Sequence, residues 1–154
     1  MSAAQLLSLA PLALVGLAAI LAMALAPVTA LGTIRGVTAA LMGLALLAVA
    51  LRAGAPEVPA YTLLSDDGLA RFGGGLAILA GLGVLAFVRA PAGAREGPAL
   101  VAIATTGAVA LCAADHAATL FLGLEITTLA LIALALLPRS AEAVEAGYKL
   151  FLMA

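Results

Sequence analysis

Charge and tryptophan are what this sequence most lacks. Only 10% of its 154 residues are charged and none is tryptophan, whereas 66% are hydrophobic. Soluble domains carry about 25% charged residues, so a water-soluble fold of this length could not cover its surface with so few. The lipid bilayer is the solvent that suits such a composition. The sequence therefore predicts an all-α integral membrane protein.

Cysteine, histidine and net charge are also scarce, and each scarcity excludes a class of function. With one cysteine and one histidine, the chain has no set of ligands for a metal ion or an iron–sulfur cluster. No Rossmann fingerprint or phosphate-binding loop is present, so we expect no bound NADH or flavin. A net charge of −1 argues against a nucleic-acid partner.

Prolines and charges divide the chain into apolar blocks of the length that spans a bilayer, about 20 residues. They predict about five complete transmembrane helices plus the start of a sixth, in a single helical domain over residues 1–154. The predicted helices are Gln5–Ala26, Thr33–Leu51, Arg71–Val88, Pro98–Ala113, Ala117–Leu137 and one that begins at Ala141.

Helix ends and connections carry most of the polar residues. Asp115 and Ser140 are predicted to be the N-caps of the fifth and sixth helices. The segment Ala53–Ala70, which contains two prolines and two aspartates, is predicted to be an extended, water-exposed loop.

Glycines within the helices are expected to let helices pack closely, and threonines to hydrogen-bond between helices. These residues are Gly73, Gly74, Gly75, Thr105, Thr106, Thr127 and Thr128.

The sixth helix is too short to span a bilayer, since only 14 residues run from Ala141 to Ala154. We therefore expect the sequence to be part of a longer protein. Arginines indicate its orientation: four lie in the connections 1–2, 3–4 and 5–6, and two on the opposite side, at Arg52 and Arg71. This bias predicts an N-terminus outside and a 3–4 connection in the cytoplasm.

Glu125 is the residue whose position is hardest to explain by structure alone. It lies near the middle of the fifth predicted helix, where a carboxylate costs about 2.5–3.5 kcal/mol on insertion scales. Such groups face the interior of a helix bundle and are paired or protonated. Because burial favours the neutral carboxyl and a nearby cation favours the charged one, Glu125 is a candidate for loading and unloading a proton.

Lys149 is the predicted partner of Glu125. It lies ten residues after Arg139 at the 5–6 turn, and Glu125 lies 12 residues before Leu137, so antiparallel neighbours would bring the two groups to within about one helical turn in depth. An acid and an amine at matched depth suit a proton relay, with Glu125 and Lys149 as the proton-transfer residues. The alternative is a structural clasp between two helices.

Asp115 and His116 form an adjacent pair at the 4–5 turn. A histidine beside a carboxylate near the membrane surface can pass protons at physiological pH. We therefore name Asp115 and His116 as a candidate point of proton uptake; the alternative is that an exposed histidine has no role.

The residues around Glu125 resemble a known family. The stretch 120–129, LFLGLEITTL, resembles helix 5 of the antiporter-like subunits of respiratory complex I, most closely the N type. Arg139-Ser140 and the later EAGYKLFLM of 145–153 resemble that family's R-x-S and E-A-x-x-K-Y-F-L-L-G. Residues 67–72, DGLARF, resemble the segment before its helix 3. The chain departs from the family where Leu-Pro-Leu-Tyr follows the glutamate, since it has LALI at 129–132.

The resemblance implies a function and a setting. Glu125 would be the glutamate of a half-channel and Lys149 the helix-6 lysine of a proton-translocating subunit of NADH-quinone oxidoreductase, a translocase driven by quinone reduction. NADH, FMN, iron–sulfur clusters and quinone would be bound elsewhere in the complex. The implied partners are the antiporter-like M-type and the small K- and J-type membrane subunits, in a bacterial inner membrane.

Two other functions are compatible with these residues. Multisubunit cation/proton antiporters and membrane-bound hydrogenases share the glutamate and lysines, so a subunit of either is one alternative. A helical membrane protein with a purely structural Glu125 is the other. The sequence itself excludes neither.

Overall fold

The computed structural model describes residues 3–55, 63–87 and 95–153, and within its first helix the side chains from Leu6 onward. Six helices follow one another along the chain: α1 Ala3–Leu25, α2 Leu31–Leu51, α3 Gly68–Phe87, α4 Gly97–Cys112, α5 Ala117–Leu136 and α6 Ala141–Met153. In the described residues the only β pairing is an isolated antiparallel bridge between Leu64 and Ala114. The predicted all-α fold is therefore confirmed.

Four helices are long and apolar enough to cross a membrane, namely α1 from Leu6, α2, α3 and α5. Helix α4 is also apolar but has 16 residues, about 24 Å at 1.5 Å per residue. Large apolar side chains point outward along the helices; Phe87, for example, is 88% exposed. In water such a surface would be unfavourable, whereas in lipid it is the expected one. The chain is a multi-pass membrane protein.

Helix α4 lies at the centre of the bundle, in contact with α1, α2, α3 and α5. Half of its residues are buried, which explains how a helix shorter than its neighbours is still held among them. The main core cluster joins residues of the first four helices: Val15, Ala18, Ala19, Met42, Ala45, Ile78, Leu85, Val101, Ala102 and Val109. Small side chains dominate it, because van der Waals packing rather than hydrophobic segregation brings helices together in lipid.

The helix ends alternate between two sides of the bundle. The start of α1 meets the end of α2, the start of α3 and the end of α4 around one cavity. At the opposite end, a second cluster joins the end of α1 to the starts of α2 and α4 through Ala22, Ala26, Ile34 and Ala99. The connections 2–3 and 4–5 therefore lie on the same side as the N-terminus, as an up-and-down bundle requires.

Helix boundaries agree with the predictions to within three residues, and the largest shift has a clear cause. Helix α3 begins at Gly68 rather than Arg71, because the carboxylate of Asp67 accepts a hydrogen bond from the backbone N–H of Ala70 at 2.7 Å and so caps the helix start. The predicted cap Ser140 is confirmed, since its hydroxyl accepts from the N–H of Ala143 at 3.1 Å. Val88, the predicted end of the third helix, lies outside the described residues.

One prediction about polar residues is wrong, and a second fails at one residue. The cap of α5 is His116 rather than Asp115: its Nδ1 accepts from the N–H of Ala118 at 3.1 Å, because the helix begins one residue later than an aspartate cap would need. The loop before α3 is predicted to be water-exposed; Ala53, Gly54 and Leu63 are exposed, but Asp66 is buried, at 9% exposure. Residues 56–62, which include both prolines of that loop, lie outside the described residues.

The glycines and threonines divide between the two expected roles. Gly73 packs against Cys112, Gly74 against Val109 and Gly75 against Val49, which confirms close packing of helices. The threonines behave differently, because each hydroxyl donates to the carbonyl four residues earlier in its own helix. Thr127 alone among the four also reaches another helix, with its Oγ1 3.5 Å from the carbonyl oxygen of Ala104.

Candidate functional site

Helix α5 contains a single ionisable side chain, that of Glu125. The helix meets α4 on the face that carries Gly123 and Thr127. Glu125 lies two residues from each of these, so it projects from the other side of the helix. Its side chain is partly buried, and no described residue forms an ion pair with it.

A glycine pair sets the distance between α4 and α5. A side chain at Gly107 would meet the carbonyl oxygen and the backbone of α5, with Gly123 O at 2.8 Å; a side chain at Gly123 would meet Gly107 O at 3.0 Å and Leu111. The two backbones therefore touch at this crossing, in the way that small residues allow in membrane helices. Beside it, Thr127 donates to Gly123 O at 2.8 Å. The crossing fixes which side of α5 is left for Glu125.

Helix α6 packs on α5 through Gly147. A side chain there would lie 2.6 Å from Cγ of Leu136, so the two helices are in close contact at this point. Leu136 lies eleven residues after Glu125, about three turns of helix, and hence on the same face of α5. Glu125 therefore lies on the α6 side of α5, away from the central helix α4 rather than facing the interior of the bundle.

The side chain of Lys149 points away from α5. It lies two residues after Gly147, so it lies on the face of α6 opposite α5. Its Nζ donates to Oε1 of Glu145 at 2.6 Å, one turn earlier in the same helix, and the two side chains are 65% and 67% exposed. The predicted pairing of Glu125 with Lys149 is therefore wrong in this structure: the lysine forms its ion pair within its own helix.

The register of α5 against α6 also argues against the predicted match in depth. Gly147 lies beside Leu136. From that contact Lys149 is about 3 Å further along α6, whereas Glu125 is about 16 Å further along α5 in the same direction. For straight antiparallel helices this register offsets the two groups by about 13 Å along the helix axes, because the α6 contact lies at the end of α5.

Asp115 and His116 lie at the start of α5, on the side of the bundle that holds the N-terminus. Both residues are exposed. Their position is fixed by the bridge between Leu64 and Ala114 and by the N–H of Asp115, which donates to Leu63 O at 3.2 Å. Nine residues separate His116 from Glu125, about 13 Å along the helix. The structure thus brings Asp115 and His116 to the water-exposed end of the helix that carries Glu125.

An ionic cluster of Arg52, Asp66 and Arg71 joins the end of α2 to the start of α3. Asp66 accepts from Nε of Arg71 at 3.0 Å and from Arg52. Arg71 also donates to the carbonyl oxygens of Arg52 at 2.9 Å and Ala55 at 2.7 Å. The cluster therefore supplies partners for carbonyls beyond the end of α2.

The sequence reasoning missed this cluster. It placed the three residues on one side of the membrane but treated Asp66 as part of a wet loop. The spacing of Asp66 and Arg71, together with an arginine just after α2, was the available signal. A cavity of about 40 Å³ lies beside the cluster, between α1 and α4, and this volume is enough for ordered water. Among the described residues, no three acidic, histidine or cysteine side chains gather as a metal site would require.

Glu142, in the first turn of α6, has the clearest electrostatic setting. Hydrogen bonds from its own backbone N–H and from the hydroxyl of Ser140 lower the pKa of this exposed carboxyl below its usual value. Such hydrogen bonds favour the charged form, and the helix start favours negative charge as well. Glu142 is therefore a fixed negative charge at neutral pH.

Comparison with known proteins identifies relatives along nearly the whole chain. No known protein-family profile matches it. The chain is 50% identical over 155 aligned positions to NADH-quinone oxidoreductase subunit N of Rhodopseudomonas palustris, covering 99% of the chain and 34% of that protein. It is 45% identical over 146 positions to subunit N of Cereibacter sphaeroides, covering 95% of the chain and 32% of that protein.

A solved structure shares the fold. The helices superpose on a chain of respiratory complex I from Thermus thermophilus, determined with bound aureothin, with a TM-score of 0.82 and 28% sequence identity. The match covers 92% of this chain and 32% of that one. Sequence and fold therefore agree that this chain, which spans about one third of the length of its curated relatives, belongs to the family of NADH-quinone oxidoreductase subunit N.

Proposed function

We propose that this chain is part of a proton-translocating membrane subunit of an NADH-quinone oxidoreductase, in which Glu125 accepts and releases a proton. The observation that supports it most directly is a carboxylate in the middle of an apolar helix of a subunit N homologue. The enzyme would be a translocase, and this chain would carry no redox centre. NADH, FMN, iron–sulfur clusters and quinone would be held by other subunits.

The chemistry required of Glu125 is a change of charge. When its carboxylate takes up a proton, the apolar helix loses a negative charge and the desolvation cost of that charge; when a positive charge approaches, the ionised form is favoured again. A cation that moves elsewhere in the assembly would therefore drive proton release. Lys149 would be a second proton-transfer residue, and Asp115 and His116 would be the point of proton uptake at the surface.

The distance between Glu125 and Lys149 rules out a direct proton transfer between them. Direct proton transfer needs heavy atoms within about 3 Å or a single bridging water, and Glu125 and Lys149 are offset by about 13 Å along the helices. Further groups or a chain of water molecules would have to join them. We therefore propose that Glu125 and Lys149 are two separate proton-transfer residues rather than one acid–base pair.

The proposed setting is a bacterial inner membrane, with the N-terminus outside. The M-type and small K- and J-type membrane subunits would be its partners, and residues 1–154 would form a single helical domain. The count of four arginines against two supports the orientation. It would put Asp115, His116 and the ionic cluster on the outer side, where an outward pump releases protons; proton uptake at Asp115 and His116 would require the N-terminus to lie in the cytoplasm instead.

Replacement of Glu125 by glutamine tests the function. In membrane vesicles that contain the assembled enzyme with its full-length subunit, we expect Glu125→Gln to lower NADH-driven proton pumping by at least about tenfold, because the amide cannot exchange a proton at neutral pH. Fluorescence quenching of a pH-gradient dye measures the pumping, and native gels measure assembly.

Thr128→Val is the matched control on the same helix, because it removes a hydroxyl whose partner among the described residues is Leu124 O, and it should pump normally. An assembled Glu125→Gln enzyme with normal pumping would contradict the proposal. Normal pumping with poor assembly would instead support the structural clasp.

A further inference from the structure

Charged side chains occupy one face of α6. Glu142, Glu145 and Lys149 follow one another at intervals of three and four residues, so they lie on the same side of the helix. That side is opposite Gly147, which contacts α5. The helix packed on α6 contributes only Glu125 as an ionisable group, and Glu125 faces the uncharged side of α6. The charges therefore form a stripe that α5 does not cover.

The Glu145–Lys149 contact can exist as an ion pair or as a neutral acid–amine pair. In water an exposed i,i+4 ion pair stabilises a helix only slightly. In a membrane helix the surroundings are less polar, and an isolated pair of charges becomes unfavourable relative to its neutral form. The balance between an ion pair and a neutral acid–amine pair then depends on how well the face of α6 is hydrated.

We propose that Glu145 is a further proton-transfer residue, which exchanges a proton directly with Lys149. This inference rests on the proposed function and adds a residue to it. The proton moves from Nζ of the ammonium group to Oε1 of the carboxylate, across the 2.6 Å contact; the ion pair becomes a neutral amine and a neutral carboxylic acid. The same proton returns in reverse, and no other bond changes.

The geometry favours Glu145 over the other carboxylates as the group that exchanges with Lys149. It is the acceptor that Lys149 contacts, and the distance is short enough for transfer without an intervening water. Glu125 is too deep and lies on another face. Glu142 is stabilised as a carboxylate by Ser140 and by its own N–H, so it serves as a fixed charge.

The test compares matched glutamates of one helix. In vesicles that contain the assembled enzyme, we expect Glu145→Gln to lower proton pumping by at least about tenfold, although the amide oxygen still accepts a hydrogen bond from Lys149. Glu145→Asp should keep a measurable part of the pumping, because it keeps an exchangeable carboxyl. Glu142→Gln removes the same charge three residues earlier and should pump within about twofold of the unmodified enzyme.

The outcomes separate the role of Glu145 from the proposed function of the subunit. Normal pumping with Glu145→Gln would overturn the inference, and so would equal losses with Glu145→Gln and Glu142→Gln, which would indicate a general effect of charge. If Glu145→Asp is as impaired as Glu145→Gln, exchange at this carboxyl is also overturned. A loss with Glu125→Gln but not with Glu145→Gln would leave the proposed function standing and remove only this addition. Normal pumping with Glu125→Gln would remove the proposed function itself.

Discussion

Asp66 shows how one side chain can hold several parts of a membrane protein together. It lies between Arg52 at the end of α2 and Arg71 in α3, with both guanidinium groups hydrogen-bonded to its carboxylate. All three side chains are at most 13% exposed. Removing one partner of a buried ion pair costs much more than the pair itself contributes, because the remaining charge is left uncompensated.

We therefore expect Asp66→Asn to destabilise the folded chain by about 3 kcal/mol. Thermal unfolding of the detergent-solubilised protein, followed by circular dichroism, measures the change. The control is Asp67→Asn at the next position, where the side chain caps α3 through the N–H of Ala70. Asparagine caps a helix about as well as aspartate, so this variant should unfold almost like the original. Equal unfolding temperatures for both variants would contradict the central role of Asp66.

Among the elements, the contact between α4 and α5 is the one that orients the candidate site. The Gly107–Gly123 crossing brings the two backbones together, and it leaves Glu125 on the other side of α5. Sequence reasoning expected close packing from glycines but could not tell which glycines meet, since that depends on the relative rotation of two helices.

Gly107→Ala should separate α4 from α5 and destabilise the fold by about 1–3 kcal/mol, the usual range for overpacking. The added methyl group would meet backbone atoms of α5, with Gly123 O at 2.8 Å, and a backbone cannot move aside as a flexible side chain can. Gly43→Ala in α2 is the control, because nothing lies within 4 Å of the added carbon and alanine is the better helix former. Unfolding in detergent should show opposite signs for the two; a stabilising Gly107→Ala would disprove the tight crossing.

At the scale of the whole molecule, the structure places helix ends on two sides. The 2–3 and 4–5 connections share a side through the Leu64–Ala114 bridge and through Thr119, whose hydroxyl donates to Leu63 O at 2.9 Å. Which of the two sides faces the cytoplasm is a property of the membrane rather than of the fold, and it is predicted here from arginine counts alone.

Single cysteines test that orientation. In a Cys112→Ser background, Ala117→Cys at the start of α5 should react with a membrane-impermeant maleimide in intact cells with a permeabilised outer membrane. Val28→Cys, an exposed residue of the 1–2 connection, should react only in inverted vesicles. The reverse pattern would put the N-terminus in the cytoplasm and would place Asp115 and His116 there as well.

The sequence alone determined the helices and their membrane setting, because each depends on local composition. Long apolar runs, prolines and caps fix where a helix begins and ends whatever surrounds it, so the boundaries were predicted to within three residues. The mid-helix position of Glu125 was likewise visible as a charge in an apolar run. The motif around it was enough to identify the family.

Only the tertiary structure decided which side chains meet. The Arg52–Asp66–Arg71 cluster joins residues up to 19 positions apart, and the partner of Lys149 depended on the register and rotation of α6 against α5. Spacing from a shared turn predicted equal depth for Glu125 and Lys149, but one close contact between Gly147 and Leu136 shifted the register by several residues. Local patterns carry no information about such offsets, because they are set by how two helix surfaces fit together.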